Sequence, residues 1–228
     1  MNIVILTGAG ISAESGLETF RASDGLWANH SIEDICTPEA LARNRPLVLD
    51  FYDQRRAALA TVGPNPAHEA LARLDREWTG ELLIVTQNVD DLHERAGAKR
   101  LLHMHGELMS SLCEACGARA RFGGSMLDGA ECGACGGDVR PDIVFFGEQP
   151  YEMEQIYRHL RDVDLFVSIG TSGAVYPAAG FVQAARHVGA RTLELNLDPS
   201  EGSYFFDESR LGPASQLVPA FVDELLAG

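Results

Sequence analysis

The chain has 228 residues, 46% of them hydrophobic, and a mean hydropathy of −0.05, values that suit a folded water-soluble protein with a substantial core. Its 18 lysines and arginines against 33 aspartates and glutamates give a net charge of −15. That charge argues against non-specific nucleic-acid binding, and is compatible with a basic protein substrate or simply with solubility. No run approaches the roughly 20 apolar residues of a membrane span, and Met1-Asn2-Ile3 lacks the basic start of an export signal, so a cytoplasmic location is expected.

In chain order, Ile3-Val4-Ile5-Leu6 reads as a buried strand running straight into the glycine turn Gly8-Ala9-Gly10 at the head of a helix. G-x-G-x-x-A spacing lets backbone N–H groups reach a pyrophosphate, a weak signal by itself. The stretch from Gly16 to Trp27 then leaves the dinucleotide fingerprint and adds Phe20 and Arg21. Thr37-Pro38 reads as a helix cap with proline in the first turn, a second helix spans about 46–60, and a third runs from Asn65-Pro66 through Arg76. Glu81 to Thr86 is a strand whose unbroken apolar run suits a sheet covered on both faces. Further strands are expected at Asp142 to Phe146, Leu165 to Ile169 and Arg191 to Leu195, with helices near 150–162, 177–188 and 215–226. The alternation predicts an α/β fold, a doubly wound, Rossmann-like parallel sheet with right-handed crossovers. Residues 1–28, 63–108 and 141–228 would form that domain. A helical insertion at 29–62 and a zinc-ribbon module at 109–140 would form a smaller lobe.

Four of the five cysteines fall as Cys113-x2-Cys116-x15-Cys132-x2-Cys135, in a glycine-rich segment. The spacing reads as one tetrahedral zinc site with thiolates at about 2.3 Å from the metal, closed and therefore structural. Disulfides are the other reading and fit poorly with a chain showing no export signal. Cys36 is left over and reads as a small buried residue.

Four strand ends carry polar residues: Thr7-Gly8, Gln87-Asn88-Val89-Asp90, Gly170-Thr171-Ser172 and Asn196-Leu197-Asp198. Any one of them can be a helix cap, but together they converge on the crevice where doubly wound sheets bind ligands. His103-Met104-His105-Gly106 lies between this half and the cysteine module. A general base with a pKa near neutrality is useful in such a cleft, although a lone histidine near a turn is more often a structural hydrogen-bonder.

These blocks, GAGISAESGLETFR (8–21), TQNVDDLHERAG (86–97), HMHGEL (103–108), the two cysteine pairs, GTS (170–172) and NLDPS (196–200), together resemble the sirtuins, over essentially the whole chain. The resemblance implies an NAD-dependent protein-lysine deacylase that releases nicotinamide and O-acyl-ADP-ribose, with one structural Zn2+ and acyl-lysine proteins or peptides as substrates. It implies neither nucleic acid nor membrane as a partner, and a monomer is expected. His105 matches the catalytic base. Gly8, Ala9, Gly10, Glu14, Thr19, Phe20, Arg21 and Trp27 match the loop that encloses NAD. Gln87, Asn88, Val89 and Asp90 match the nicotinamide-side ribose contacts. Gly170, Thr171, Ser172, Asn196, Leu197 and Asp198 match the adenosine side, with Ala214 near the adenine. Val144 and Phe145 match the segment that pairs with a substrate peptide as an added strand.

Tyr52 and Arg55 stand three apart on a helix of the smaller lobe and share a face. By spacing alone this reads as a core tyrosine beside a solvent-facing arginine. Tyr-x-x-Arg is also similar to the signature of the desuccinylase-like branch of sirtuins, which implies succinyl and malonyl groups as substrates beside acetyl, the carboxylate bound bidentately by arginine. Mono-ADP-ribosyl transfer is the alternative activity. A zinc-containing NAD oxidoreductase fits less well, because no second strand with an acidic end follows the glycine loop by about 20 positions.

Overall fold

The computed structural model describes the chain except residues 19, 22–25, 28 and 29, and no side chain from 19 to 29. β1 (Ile3–Thr7) leads into the single-turn helix α1 (Gly10–Ala13) and then a ladder of two-residue strands, β2 (Phe20–Arg21), β3 (Leu26–Trp27) and β4 (His30–Ser31). Helices α2 (Ile32–Ile35), α3 (Pro38–Arg43), α4 (Arg45–Leu59) and α5 (Pro66–Glu77) follow. Thr37 Oγ1 accepts the Ala40 N–H at 3.0 Å and Pro38 takes the first turn, so α3 begins where the cap signal puts it. Next come β5 (Leu82–Thr86), α6 (Leu92–Ala96), β6 (Leu101–His103), β7 (Gly106–Cys113), β8 (Arg119–Arg121) and β9 (Val139–Ile143). The chain ends with α7 (Met153–Arg161), β10 (Leu165–Ile169), α8 (Phe181–His187), β11 (Arg191–Asn196), β12 (Glu208–Leu211) and α9 (Ala214–Ala227). Among the described residues no helix is long and apolar enough to cross a membrane.

The main sheet has the order β12-β11-β10-β1-β5-β6, parallel throughout. Residues of one parity in the central strands, such as Ile3, Ile5, Ile84, Val167 and Leu195, pack under α5 and α9. The other parity, Val4, Leu6, Val85 and Phe166, packs against α7 and α8. That period of two, apolar on both faces, is why these strands read as continuous hydrophobic runs.

A second core lies among α2, α3, α4 and the start of the antiparallel sheet β8-β7-β9, and buries Tyr52, Phe51, Leu108, Ile143 and Phe145. The apolar segment Asp142 to Phe146 is therefore no strand of the parallel sheet. Its first two residues belong to β9, antiparallel to β7 across an irregularity between Glu107 and Ser111, and Phe145 fills the second core. Gly106, at φ +86, permits the junction, because a Cβ there would collide with the Asp142 carbonyl.

Candidate active site

β1 is the point at which strand order reverses: the chain adds β5 and β6 on one side, then β10, β11 and β12 on the other. Ligands of such sheets sit beyond the strand ends at this switch. Two glycine turns meet there. Gly10 N–H donates to the Gly170 carbonyl at 2.8 Å, and a Cβ on Gly170, at φ +61, would stand 2.5 Å from the Ile11 nitrogen. Side chains are excluded from this contact, so the floor of the crevice is bare backbone. A cavity of about 640 Å³ opens above it, bounded on the far side by the second core.

The cavity is lined by Gly8, Ala9 and Gly10, by Gln87, Asn88, Val89 and Asp90, by Gly170, Thr171 and Ser172, by Asn196, Leu197 and Asp198, and by His105. All four strand ends singled out from the sequence thus meet in one space. Asn196 Nδ2 donates to the Thr171 carbonyl at 2.8 Å, which ties two of them together. Glu14 and Ala214 are not in the lining. Glu14 instead accepts the Ser215 N–H (2.9 Å) and hydroxyl (2.5 Å) at the start of α9, and these bonds lower its pKa. Thr19 lies outside the described residues, as do the side chains of Phe20, Arg21 and Trp27.

Beneath the lining runs a buried polar chain that single positions did not reveal. Ser12 Oγ donates to Asp90 Oδ2 at 3.0 Å and accepts from Asn88 Nδ2 at 3.1 Å, while His68 Nε2 lies 3.4 Å from it. Thr7 joins Thr86 at 2.8 Å and His93 Nε2 at 3.1 Å, and the two imidazoles meet edge to face at 4.9 Å. Burial raises the pKa of Asp90, lowers that of His68 to about 4 and depresses His93 well below the ordinary value. Both histidines are neutral near pH 7. Ser12 stood in the quoted glycine block and was the available clue; His68 stood in an apolar helix and offered none.

His105 follows β6 and precedes β7. Its Nδ1 lies 3.2 Å from the Gln87 carbonyl, which fixes the tautomer with Nδ1–H donating and Nε2 free to accept. Burial lowers its pKa, opposed in part by that carbonyl. A neutral, oriented imidazole facing a ligand cavity can act as a general base.

On the far wall, Arg55 lines the cavity with its side chain 15% exposed and paired to Glu18 at 2.7 Å. Tyr52 does not reach the cavity. It is fully buried, stacked on Phe145 (6.0 Å between ring centres) with its hydroxyl toward the Cys36 thiol, and both of those residues line the wall. Cys36 is itself buried, which pushes its pKa up to about 11. Val144 and Phe145 line the cavity too, but their N–H groups are engaged, Val144 with the His105 carbonyl (2.9 Å) and Phe145 with Glu148 (2.8 Å). Phe146 N–H likewise goes to the Cys36 carbonyl.

The four cysteine sulfurs lie within 4.8 Å of one another, with Cys113–Cys135 at 3.6 Å and Cys116–Cys132 at 3.7 Å. A tetrahedron with bonds of about 2.3 Å has edges near ~3.8 Å, whereas a disulfide would bring two sulfurs to about 2.05 Å. Backbone N–H groups of Cys116 and Ala134 point at Cys113 and Cys132 sulfurs, each at 3.4 Å, as thiolates require. The donor set fits zinc.

The sequence profile of the Sir2 family matches residues 8–177. The chain is 55% identical to a Vibrio vulnificus (strain YJ016) protein named NAD-dependent protein deacylase, over 99% of this chain and 94% of that one. It is 53% identical to a Caulobacter vibrioides protein of the same name, over 100% and 98%. A crystal structure of a Sir2 homolog–NAD complex superposes with a TM-score of 0.90 at 34% identity, covering 99% of this chain and 90% of that one.

Proposed function

Because this chain belongs to the Sir2 family and is an NAD-dependent protein deacylase, we propose that its cavity takes NAD over the glycine floor and an acyl-lysine along the Arg55 wall, and that succinyl and malonyl groups are removed as well as acetyl. The observation that carries the wider acyl range is the Arg55–Glu18 pair: the wall already seats a carboxylate on a guanidinium inside the cavity. The carboxylate of a succinyl or malonyl group would take the place of Glu18, with two parallel N–H···O bonds from a planar fork. Tyr52 backs this wall through Phe145 and Cys36 rather than touching the acyl group.

The other residues take roles that their positions support. The backbone floor of Gly8, Gly10 and Gly170 lets a pyrophosphate approach without meeting a Cβ. Gln87, Asn88 and Asp90 face one ribose, and Ser172, Asn196 and Asp198 the other. When bound, NAD supplies the ribose carbon that takes the acyl oxygen and the nicotinamide that departs. His105 Nε2 takes a proton from a ribose hydroxyl while its Nδ1–H stays on the Gln87 carbonyl. With the N–H groups of Val144, Phe145 and Phe146 already engaged and the Phe145 carbonyl taken by the Glu148 N–H, an added substrate strand pairs there through the Val144 carbonyl. The four thiolates hold zinc away from this chemistry, and a cysteine set kept reduced suits a cytoplasmic protein.

Incubation with NAD and acetyl-, malonyl-, succinyl- and long-acyl-lysine peptides, read by mass spectrometry, tests the acyl range. Succinyl turnover with nicotinamide release is expected. Turnover of acetyl-lysine alone would refute it.

A further inference from the structure

A second cavity, about 550 Å³, lies behind the active site, lined by Glu94, His103, Glu107, Arg119, Asp142 and Tyr151 among others. It shares no lining residue with the NAD cavity. We propose that Glu94, His103 and Glu107 form a second metal site, separate from the four-cysteine centre, for a zinc-class divalent cation bound through nitrogen and oxygen.

One imidazole nitrogen and one oxygen from each carboxylate lie within 4.8 Å of one another. In a site with bonds of about 2.0–2.2 Å, ligand atoms stand ~3–4 Å apart, so small rotations of two exposed carboxylates close it. The histidine is the fixed member, since its side chain is only 8% exposed. Its Nδ1 lies 3.0 Å from the Asn88 carbonyl, the outer-shell bond by which metal-binding histidines are usually oriented, and it leaves the Nε2 lone pair for the ligand side. Nε2 faces Glu94 at 2.6 Å. A lone pair that close to a carboxylate requires a positive species between them, either a proton or a metal ion.

Glu107 supplies the independent observation. Its carboxylate converges on the same point yet has no hydrogen bond or ion pair among the described residues. Arg119, which lines the same cavity, is held by Asp142 at 3.4 Å and lies over the Tyr151 ring at 3.8 Å. Two carboxylates and one oriented imidazole, with a polar cavity for water on the remaining positions, suit a borderline cation better than calcium or magnesium, which take oxygen ligands. Binding displaces the proton from His103, and the ion then rests one hydrogen bond away from the turn that carries Gln87 and Asn88.

The test uses the holoprotein with its cysteine-bound zinc in place, dialysed against Zn2+ and assayed for metal content. Two zinc ions per chain are expected for the wild type, and one for Glu107→Gln and for His103→Gln. Glu107 is exposed and outside every core, so its variant keeps the test informative if His103→Gln misfolds. Co2+ added to the zinc-loaded protein should give the weak visible bands of nitrogen and oxygen ligation, without a thiolate charge-transfer band. One zinc per chain in the wild type at every concentration overturns the proposal, and so does a second equivalent that survives in Glu107→Gln.

Discussion

The Nδ1 of His105 lies 3.2 Å from the backbone carbonyl of Gln87, so the imidazole and the turn after β5 are positioned by one bond. Burial holds the imidazole below its ordinary pKa of about 6.5, so it is already neutral at pH 7. The acid limb of kcat/KM should therefore fall below pH 6.5, and a midpoint above 7 would contradict the assignment. His105→Ala should lose ~10²–10⁴-fold in kcat while keeping its zinc and its thermal transition.

Arg55 and Glu18 make opposite predictions for charged acyl groups. Arg55→Met removes charged hydrogen bonds of about 1.5–3 kcal/mol, or ~10–100-fold in kcat/KM on succinyl-lysine, with acetyl-lysine changed far less. Glu18→Gln removes the internal competitor and should lower KM for succinyl-lysine peptides without lowering it for acetyl-lysine. Steady-state kinetics on matched peptides decide this, and parallel losses on both substrates would count against the carboxylate role.

The buried histidines predict acid lability. His68 has a folded pKa of about 4 against about 6.5 when unfolded. Because the folded value is depressed, its contribution is fully present above pH 6.5 and is lost as pH falls toward 4. At about 1.4 kcal/mol per unit, that costs roughly 2 kcal/mol by pH 5, and His93 adds to it in the same direction. Urea unfolding at pH 7 and pH 5 should show this loss. His68→Gln should be less stable at pH 7 but show a shallower pH dependence.

Zinc removal should act on the cleft through β9. Cys113 ends β7 and pairs with Val139 of β9, while Val144, just beyond β9, is bonded to His105. Chelation, or Cys116→Ser, should therefore abolish deacylation and loosen the antiparallel sheet while leaving the parallel sheet folded. Hydrogen exchange localised to residues 106–146 would show it, and full activity in metal-free protein would exclude it.

Much of this was legible in the sequence because it is local. The strand-glycine junction at Thr7-Gly8, the Asn65-Pro66 cap and the cysteine spacing each carry their physics within a few residues. Segments fixed by distant partners were not legible. Ile143-Val144-Phe145-Phe146 has the apolar run of a central strand, yet only β7 and the second core, supplied by residues far away in the chain, decide that it leaves the parallel sheet. β6 and β12 are short strands at the sheet edges, and β12 has the polar sequence Glu208-Ser209-Arg210-Leu211, which no periodicity marks. At the cavity, Gly8, Ala9 and Gly10 line the space while Glu14 of the same block turns to α9, and Tyr52 and Arg55 share a helix face but diverge: the longer side chain reaches the cavity and the aromatic ring stays in the core.

Only the short link Met104-His105 separates β6 of one sheet from β7 of the other, which begins at Gly106. The imidazole is thereby fastened to the turn after β5, and the same residue's carbonyl to the segment after β9. One residue thus joins three segments of the chain, so the depth of the imidazole in the cleft is set by backbone contacts on both sides of it.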